Sequence, residues 1–130
     1  MTGTEVLRRY VDALNRRDLP AMLDLLDPDV ELFTRKGLRR GHDGVRAWLG
    51  EPYKELDVER IVDRMQVAGH VVVASGRIRH RWRESGAIAD ESDVTILAHV
   101  EDDRIVRLQT FDDEAAALAA AGLPAQDAAP

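Results

Sequence analysis

His80 is the residue whose setting least suits it. It lies in Val71–Arg83, a run that alternates with period two, on the same side as Val72, Ala74, Gly76, Ile78 and Trp82. An imidazole titrates near ~6.5 in water and serves as a general base or acid. On an apolar face it must also find a hydrogen-bond partner. Two readings follow: a base facing a ligand, or a core histidine donating to a carbonyl or to Tyr10. Tyr10 stands on the apolar side of the first helix, where its hydroxyl would donate to a ligand oxygen or to a neighbouring strand. Asp112 follows the inward set of the last strand. It would orient His80, act as the acid itself, or cap the next helix, a task its neighbour Asp113 could also perform. The chemistry these three types support is acid–base turnover of a small apolar, oxygenated molecule. His80 would be the base, Tyr10 the donor to a developing oxyanion and Asp112 the orienter. Aromatic residues are scarce, with two Trp, two Tyr and two Phe. Phe33, Trp48 and Trp82 near one cavity would give it flat apolar walls. The expected lining is completed by Thr34, Ile78, Ile96 and Leu108.

Composition narrows the alternatives. The chain has 130 residues, with 24 acidic against 18 Lys and Arg side chains and a net charge of −6. Nucleic-acid binders usually show a basic excess, so no nucleic-acid partner is expected. With no cysteine there is no disulfide framework, thiol nucleophile or thiolate metal site. His42, His70, His80 and His99 lack short ligand spacing, and His80 and His99 fall on opposite strand faces, so no metal site is expected. Neither a phosphate-cradling glycine loop nor a Gly-x-Ser-x-Gly turn occurs, and no cofactor is expected. No apolar run approaches the ~20 residues of a membrane span. The first residues carry no basic stretch followed by an apolar one. The expectation is a cytoplasmic domain over residues 1–123, off the membrane, followed by a disordered tail over 124–130.

The elements follow from periodicity. Val6, Leu7, Tyr10, Val11 and Leu14 mark a first helix capped by Thr2 with Glu5, or by Thr4. Asp18 caps a second, with Pro20 in its first turn, stopped by Asp27-Pro28-Asp29. A short strand over 30–34 and a turn-rich link over 37–41 precede a third helix. His42 or Asp43 caps it, and Gly50 and Pro52 end it, with a further turn through Tyr53 and Leu56. Strands are predicted over 58–67, 71–83, 92–100 and 104–111, then an alanine-rich helix over 114–121 stopped by Gly122 and Pro124. Helices first and a strand meander afterwards define an α+β layered domain.

Alternation assigns the faces. Val94, Ile96, Ala98 and Val100 are inward, and pairing Trp82 with Val94 sets His80 opposite Ile96 and Arg83 opposite Asp93. Arg77, Arg79, Arg81 and Arg83 then form an outward stripe paired with acidic neighbours. Leu97, Ile105 and Phe111 are also assigned outward. Leaving them wet forgoes ~1.5–3 kcal/mol each, so a homodimer is expected through this face, with Arg77 and Arg79 meeting carboxylates such as Glu101 at the rim.

Several segments carry a resemblance: Arg9 to Asp18, Leu25 to Glu31, Arg40 to Trp48, Leu97 to Val100, and Arg104 to Phe111 with Glu114 to Leu123. Through them the chain resembles the SnoaL-like, nuclear transport factor 2-like superfamily, which includes ketosteroid isomerases, polyketide cyclases and limonene epoxide hydrolases. The resemblance implies a curved sheet wrapped around helices into a cone with an apolar pocket, commonly dimeric. It matches Tyr10 to a pocket tyrosine of the isomerases. The isomerase base falls at Thr34, or with a gap at Leu32 or Phe33, and the enolate-stabilising acid falls at Ile96; none of these is acidic. The Asp-Arg-Asp arrangement of the epoxide hydrolases has no inward match. SnoaL-like cyclases are similar in using an acid near the end of the last strand, for which Asp112 is the inward candidate. The implied function is a small-molecule pocket whose reaction is unassigned, with a non-catalytic binding or assembly module as the alternative.

Overall fold

The computed structural model describes residues 1–34, 36–50 and 55–123. Helix α1 (Gly3–Asn15) buries Val6, Leu7, Tyr10, Val11 and Leu14, the face their spacing requires. Thr2 caps it by accepting from the Glu5 amide. Helix α2 (Leu19–Leu25) starts on Asp18, which accepts from the Ala21 amide.

Here the chain departs from expectation. Leu26 is already extended and pairs with Ile105, so strand β1 runs over Leu26–Thr34, through Asp27-Pro28-Asp29. The ladder is interrupted between Leu26 and Glu31, where a proline without an N–H is tolerated. Gly37–Arg40, expected as a link, is strand β2, hairpinned to β1 across Gly37 at φ 114°. Helix α3 (Gly41–Leu49) has no side-chain cap. His42 gives its Nε2 to the Leu26 carbonyl at 3.0 Å, and Asp43 pairs with Arg46 at 2.8 Å, so neither is left to cap. Pro52 and Tyr53 lie outside the described residues, while Leu56 opens a strand instead of closing a helix.

That strand, β3 (Leu56–Ala68), is followed by β4 (Val71–Trp82), β5 (Ile88–Glu101), β6 (Arg104–Phe111) and α4 (Glu114–Ala121). Among the described residues the six strands form one sheet in the order β2-β1-β6-β5-β4-β3, with β1 and β6 parallel and every other pair antiparallel. The core lies between the sheet's inner face and helices α1 to α3. The expected tail over 124–130 falls outside the described residues.

The ladders correct the expected register of β4 on β5 and one face assignment on β6. Gly76, not Trp82, lies opposite Val94, and His80 lies opposite Asp90 rather than Ile96. The cause is a tight turn: the Trp82 amide donates to Ala87 at 2.8 Å and the Gly86 amide to Trp82 at 2.7 Å, so β5 begins at Ile88 rather than Ser92. Even still pairs with even over most of β4, so His80 keeps its inward face. The second concerns β6. His99 pairs with Arg107 but Val100 with Ile105, leaving Val106 as an extra residue that turns Ile105 into the core.

The outer face also differs from expectation. Helix α4 covers it, capped by Asp113, which accepts from the Ala115 amide, and closed by Gly122 at φ 74°. Ala117 and Leu118 pack on Val73 and Leu97, with Phe111 at the margin, so Leu97 is 1% exposed, while Ile105 is buried on the other side, in the inner core. The apolar patch expected to join two copies is thus covered by the chain itself. The arginine stripe is paired within the sheet. Arg77 binds Asp63 and Glu91, Arg79 binds Glu91 and Glu59, and Arg83 binds Asp57. Glu91 is held below the usual carboxylate range by hydrogen bonds from Arg79 and Arg77.

Candidate functional site

Between helix α3 and the inner face of the sheet lies a cavity of about 280 Å³, lined by Lys36, Trp48, Arg60, Ile78, His80, Val94, Ile96 and Thr110. Alternation on β4, β5 and β6 presents Ile78, His80, Val94, Ile96 and Thr110 on one face. Helix α3 brings Trp48, and β3 brings Arg60. Trp48, His80, Ile78 and Ile96 were expected at the pocket and are brought together there.

His80 has 17% of its side chain exposed, and its Nδ1 lies 3.8 Å from Asp90 Oδ2. That distance suits electrostatic pairing and exceeds a hydrogen bond. The carboxylate beside His80 is therefore Asp90, its ladder partner across the corrected register. Asp112 lines a different cavity on the outer face, beside Ser75, Thr95, Arg64 and Glu114. The inward count along β6 fails for it because the strand ends at Phe111, and Asp112 is exposed beyond that end.

Tyr10 is 1% exposed, within the core rather than on the cavity wall. Its hydroxyl is buried without a hydrogen-bond partner among the described residues. Burial pushes the phenol well above its ordinary pKa, and the nearby Arg60 charge offsets part of that rise. Leu108 is also sealed in the core. Phe33 faces outward, because its neighbour Leu32 is the core residue, and Arg107 lies 4.7 Å from its ring centroid. Thr34 serves the β1–β2 turn, donating to Gly37 O at 2.8 Å and accepting from the Lys36 amide at 3.1 Å. Trp82 is 46% exposed and borders a separate hollow with Glu55, Arg83, Glu84 and Ser85.

Arg60 and Lys36 are charged lining residues that sequence reasoning missed, and for Arg60 a signal existed. Val58, Arg60 and Val62 share parity, so a charged side chain among inward valines was the available signal. Its guanidinium carbon lies 5.9 Å from the Trp48 ring centroid. Its backbone is held by Asn15, whose Nδ2 donates to Arg60 O at 2.8 Å and whose Oδ1 accepts from Arg60 N at 2.8 Å. Thr110 and Val94 were assigned inward but not to the site; the corrected register carries Val94 to it. No group of three or more His, Cys, Asp or Glu side chains among the described residues could hold a metal ion.

N-terminal helices packed on the inner face of a mixed, mostly antiparallel six-stranded sheet, with a cavity between the two layers, define the nuclear transport factor 2-like class of fold. The model of the SnoaL-like domain matches residues 7–108, and the chain belongs to that family. Solved structures agree on the fold. A nuclear transport factor 2-like protein of unknown function from Burkholderia pseudomallei is 24% identical, covers 92% of this chain and 97% of its own, and superposes with a TM-score of 0.74. TerC co-crystallised with polyporic acid is 20% identical over 88% of this chain and 93% of its own, with a TM-score of 0.73. A protein of ketosteroid isomerase-like fold from Catenulispora acidiphila, in complex with trimethylamine, is 16% identical over 92% and 94%, with a TM-score of 0.71. No curated protein matches the chain. No helix among the described residues is long and apolar enough to cross a membrane.

Proposed function

We propose that the inner cavity binds a small molecule with an apolar body and an oxygen function, and that His80 exchanges a proton with it. The observation that carries this is the division of the lining. Trp48, Ile78, Val94 and Ile96 offer apolar contact, while Lys36, Arg60, His80 and Thr110 offer hydrogen-bond donors. That polyporic acid binds a protein of the same fold, TerC, supports an aromatic, acidic ligand of this general size.

A second reading, binding without turnover, is favoured by one observation: no carboxylate lines the cavity among the described residues, and Ile96 forms part of its wall. Native mass spectrometry with polyporic acid tests the first claim. A one-to-one adduct is expected. His80→Gln separates the readings: solvent deuterium exchange into the bound ligand that the variant loses while still binding supports proton transfer by the imidazole, and exchange absent from the wild type supports binding without turnover. Absence of any adduct would remove the cavity as a ligand site.

A further inference from the structure

We propose that the cavity on the outer face, at the start of α4, is a second binding site, and that it takes a small aliphatic amine as its ammonium ion. It is separate from the inner cavity and stands whether or not that cavity holds a ligand.

The outer cavity has a volume of about 370 Å³ and lies where β3, β4 and β5 meet the chain entering α4. Among the described residues its lining carries the carboxylates of Asp63, Asp93, Asp112, Asp113 and Glu114 beside one basic side chain, Arg64. Several of these carboxylates are already engaged. Glu114 accepts from Arg64 and Ser75, Asp113 caps α4 through the Ala115 amide, and Asp63 binds Arg77.

Thr95 supplies the independent observation. Alternation turns Asp93, Thr95 and Leu97 to the outer face, and Leu97 is sealed under α4. Thr95, two residues nearer the start of β5, is 3% exposed and lines the cavity. Ser75 lies opposite it in the ladder and is also buried. The Ser75 hydroxyl donates to Glu114, whereas that of Thr95 has no hydrogen-bond partner among the described residues. Buried hydroxyls in folded proteins are nearly always bonded, so this one points to a group from outside the chain.

Asp93 shares that face, about 7 Å away along the strand. Its ladder partner, Arg77, turns to Asp63 and Glu91 instead, and Asp93 forms no ion pair among the described residues. A hydroxyl oxygen and a carboxylate both accept, and an ammonium brings three donors and a positive charge. A carboxylate bound by one arginine also keeps lone pairs, so Asp63 can accept a further bond. A metal ion fits less well, because no three His, Cys, Asp or Glu side chains among the described residues are grouped to hold one. Apart from Gly76 and Val94 the lining residues are polar, which suits a short hydrophilic amine over one with a large apolar body.

The test is amide NMR titration of the isotope-labelled full chain with 1,4-diaminobutane at neutral pH. Salt at about 0.15 M screens general attraction to an acidic surface. Saturable shifts of the Thr95, Asp93 and Gly76 amides are expected with the diamine, and none with the neutral 1,4-butanediol. Thr95→Val keeps the shape and removes the hydroxyl, and should weaken binding about threefold or more. Thr95→Ser keeps the hydroxyl and should keep the affinity. Asp93→Asn should weaken binding about tenfold, and at an exposed position it decides the matter should Thr95→Val fail to fold. Asp57→Asn, on the same face but away from the cavity, should change nothing. No saturation in the wild type, or an affinity unchanged in Thr95→Val or Asp93→Asn, would overturn the site and leave water as the partner of Thr95. An equal loss in Asp57→Asn would reduce the effect to surface charge and overturn it too. Magnesium ion shifting the same amides at lower concentration than the diamine would overturn the assignment to an amine.

Discussion

A buried hydroxyl without a partner is the most informative single atom in the core. Tyr10 gives up water for its Oη and recovers no hydrogen bond. An unsatisfied buried polar group costs about 1–3 kcal/mol. Tyr10→Phe removes the group and keeps the ring, so it is expected to raise stability by about 1 kcal/mol in urea unfolding. A loss of stability would instead show that the hydroxyl is satisfied in solution. Alternation made His80, Ile78 and Ile96 legible, because it fixes which way a strand side chain points, while Trp48 followed from its place in the third helix. It misled for Tyr10, since helical spacing locates the buried face of α1 but not how deep each member lies. Phe33 was misread by chemistry: it looked like a pocket wall, yet Val30 and Leu32 on the same strand had already claimed the inner face.

Elements were read well where caps and periodicity agreed, and poorly where tertiary pairing decided. Helix α4 begins and ends as its sequence requires, with Asp113 before it and Gly122 after it. Its docking on the outer face could not be read from an alanine-rich run with no marked apolar side. Leu97 and Phe111 accordingly looked exposed when α4 covers them. Bulges account for other misses. Beside the break between Val62 and Arg64 on β3, the Ile61 carbonyl sits where a side chain at position 76 would begin. Only glycine fits there, and no local pattern announces such an approach.

Helix α4 is tied to β3 by the ion pair of Glu114 with Arg64. A hydrogen bond from Arg64 holds the Glu114 carboxyl below the usual carboxylate range, against burial that raises it, with Ser75 assisting. A folded-state pKa below the unfolded one stabilises above the unfolded value and ceases to as pH falls through the folded one. Glu114→Gln is therefore expected to cost about 1 kcal/mol or less at about pH 7, as befits a half-exposed pair. Its urea midpoint should converge on that of the wild type at about pH 3, below ordinary carboxylate values. A gap that persists undiminished in acid would assign the effect to packing rather than charge.

At the scale of the whole molecule, the sheet has two faces with different tasks. The outer face is closed by α4 and by arginine–carboxylate ladders, which leaves the inner cavity as the place where apolar walls and donors converge. The resemblance carried the architecture because its segments mark turns, caps and core positions along most of the chain. The reaction was not legible for the same reason: where the resemblance implies acids, the sequence offers Thr34, or Leu32 or Phe33 with a gap, and Ile96. The charged part of the site, Arg60, sits on an edge strand whose mixed polarity hid its inward face. The central claim is that the inner cavity receives a ligand against Trp48, and fluorescence tests it most directly. The chain has two tryptophans, so Trp82→Phe leaves Trp48 as the sole indole. Titration of that variant with polyporic acid should give a saturable change in Trp48 emission that Arg60→Gln weakens. A response that fails to saturate, and that a Trp48→Phe protein reproduces through Trp82, would contradict the account.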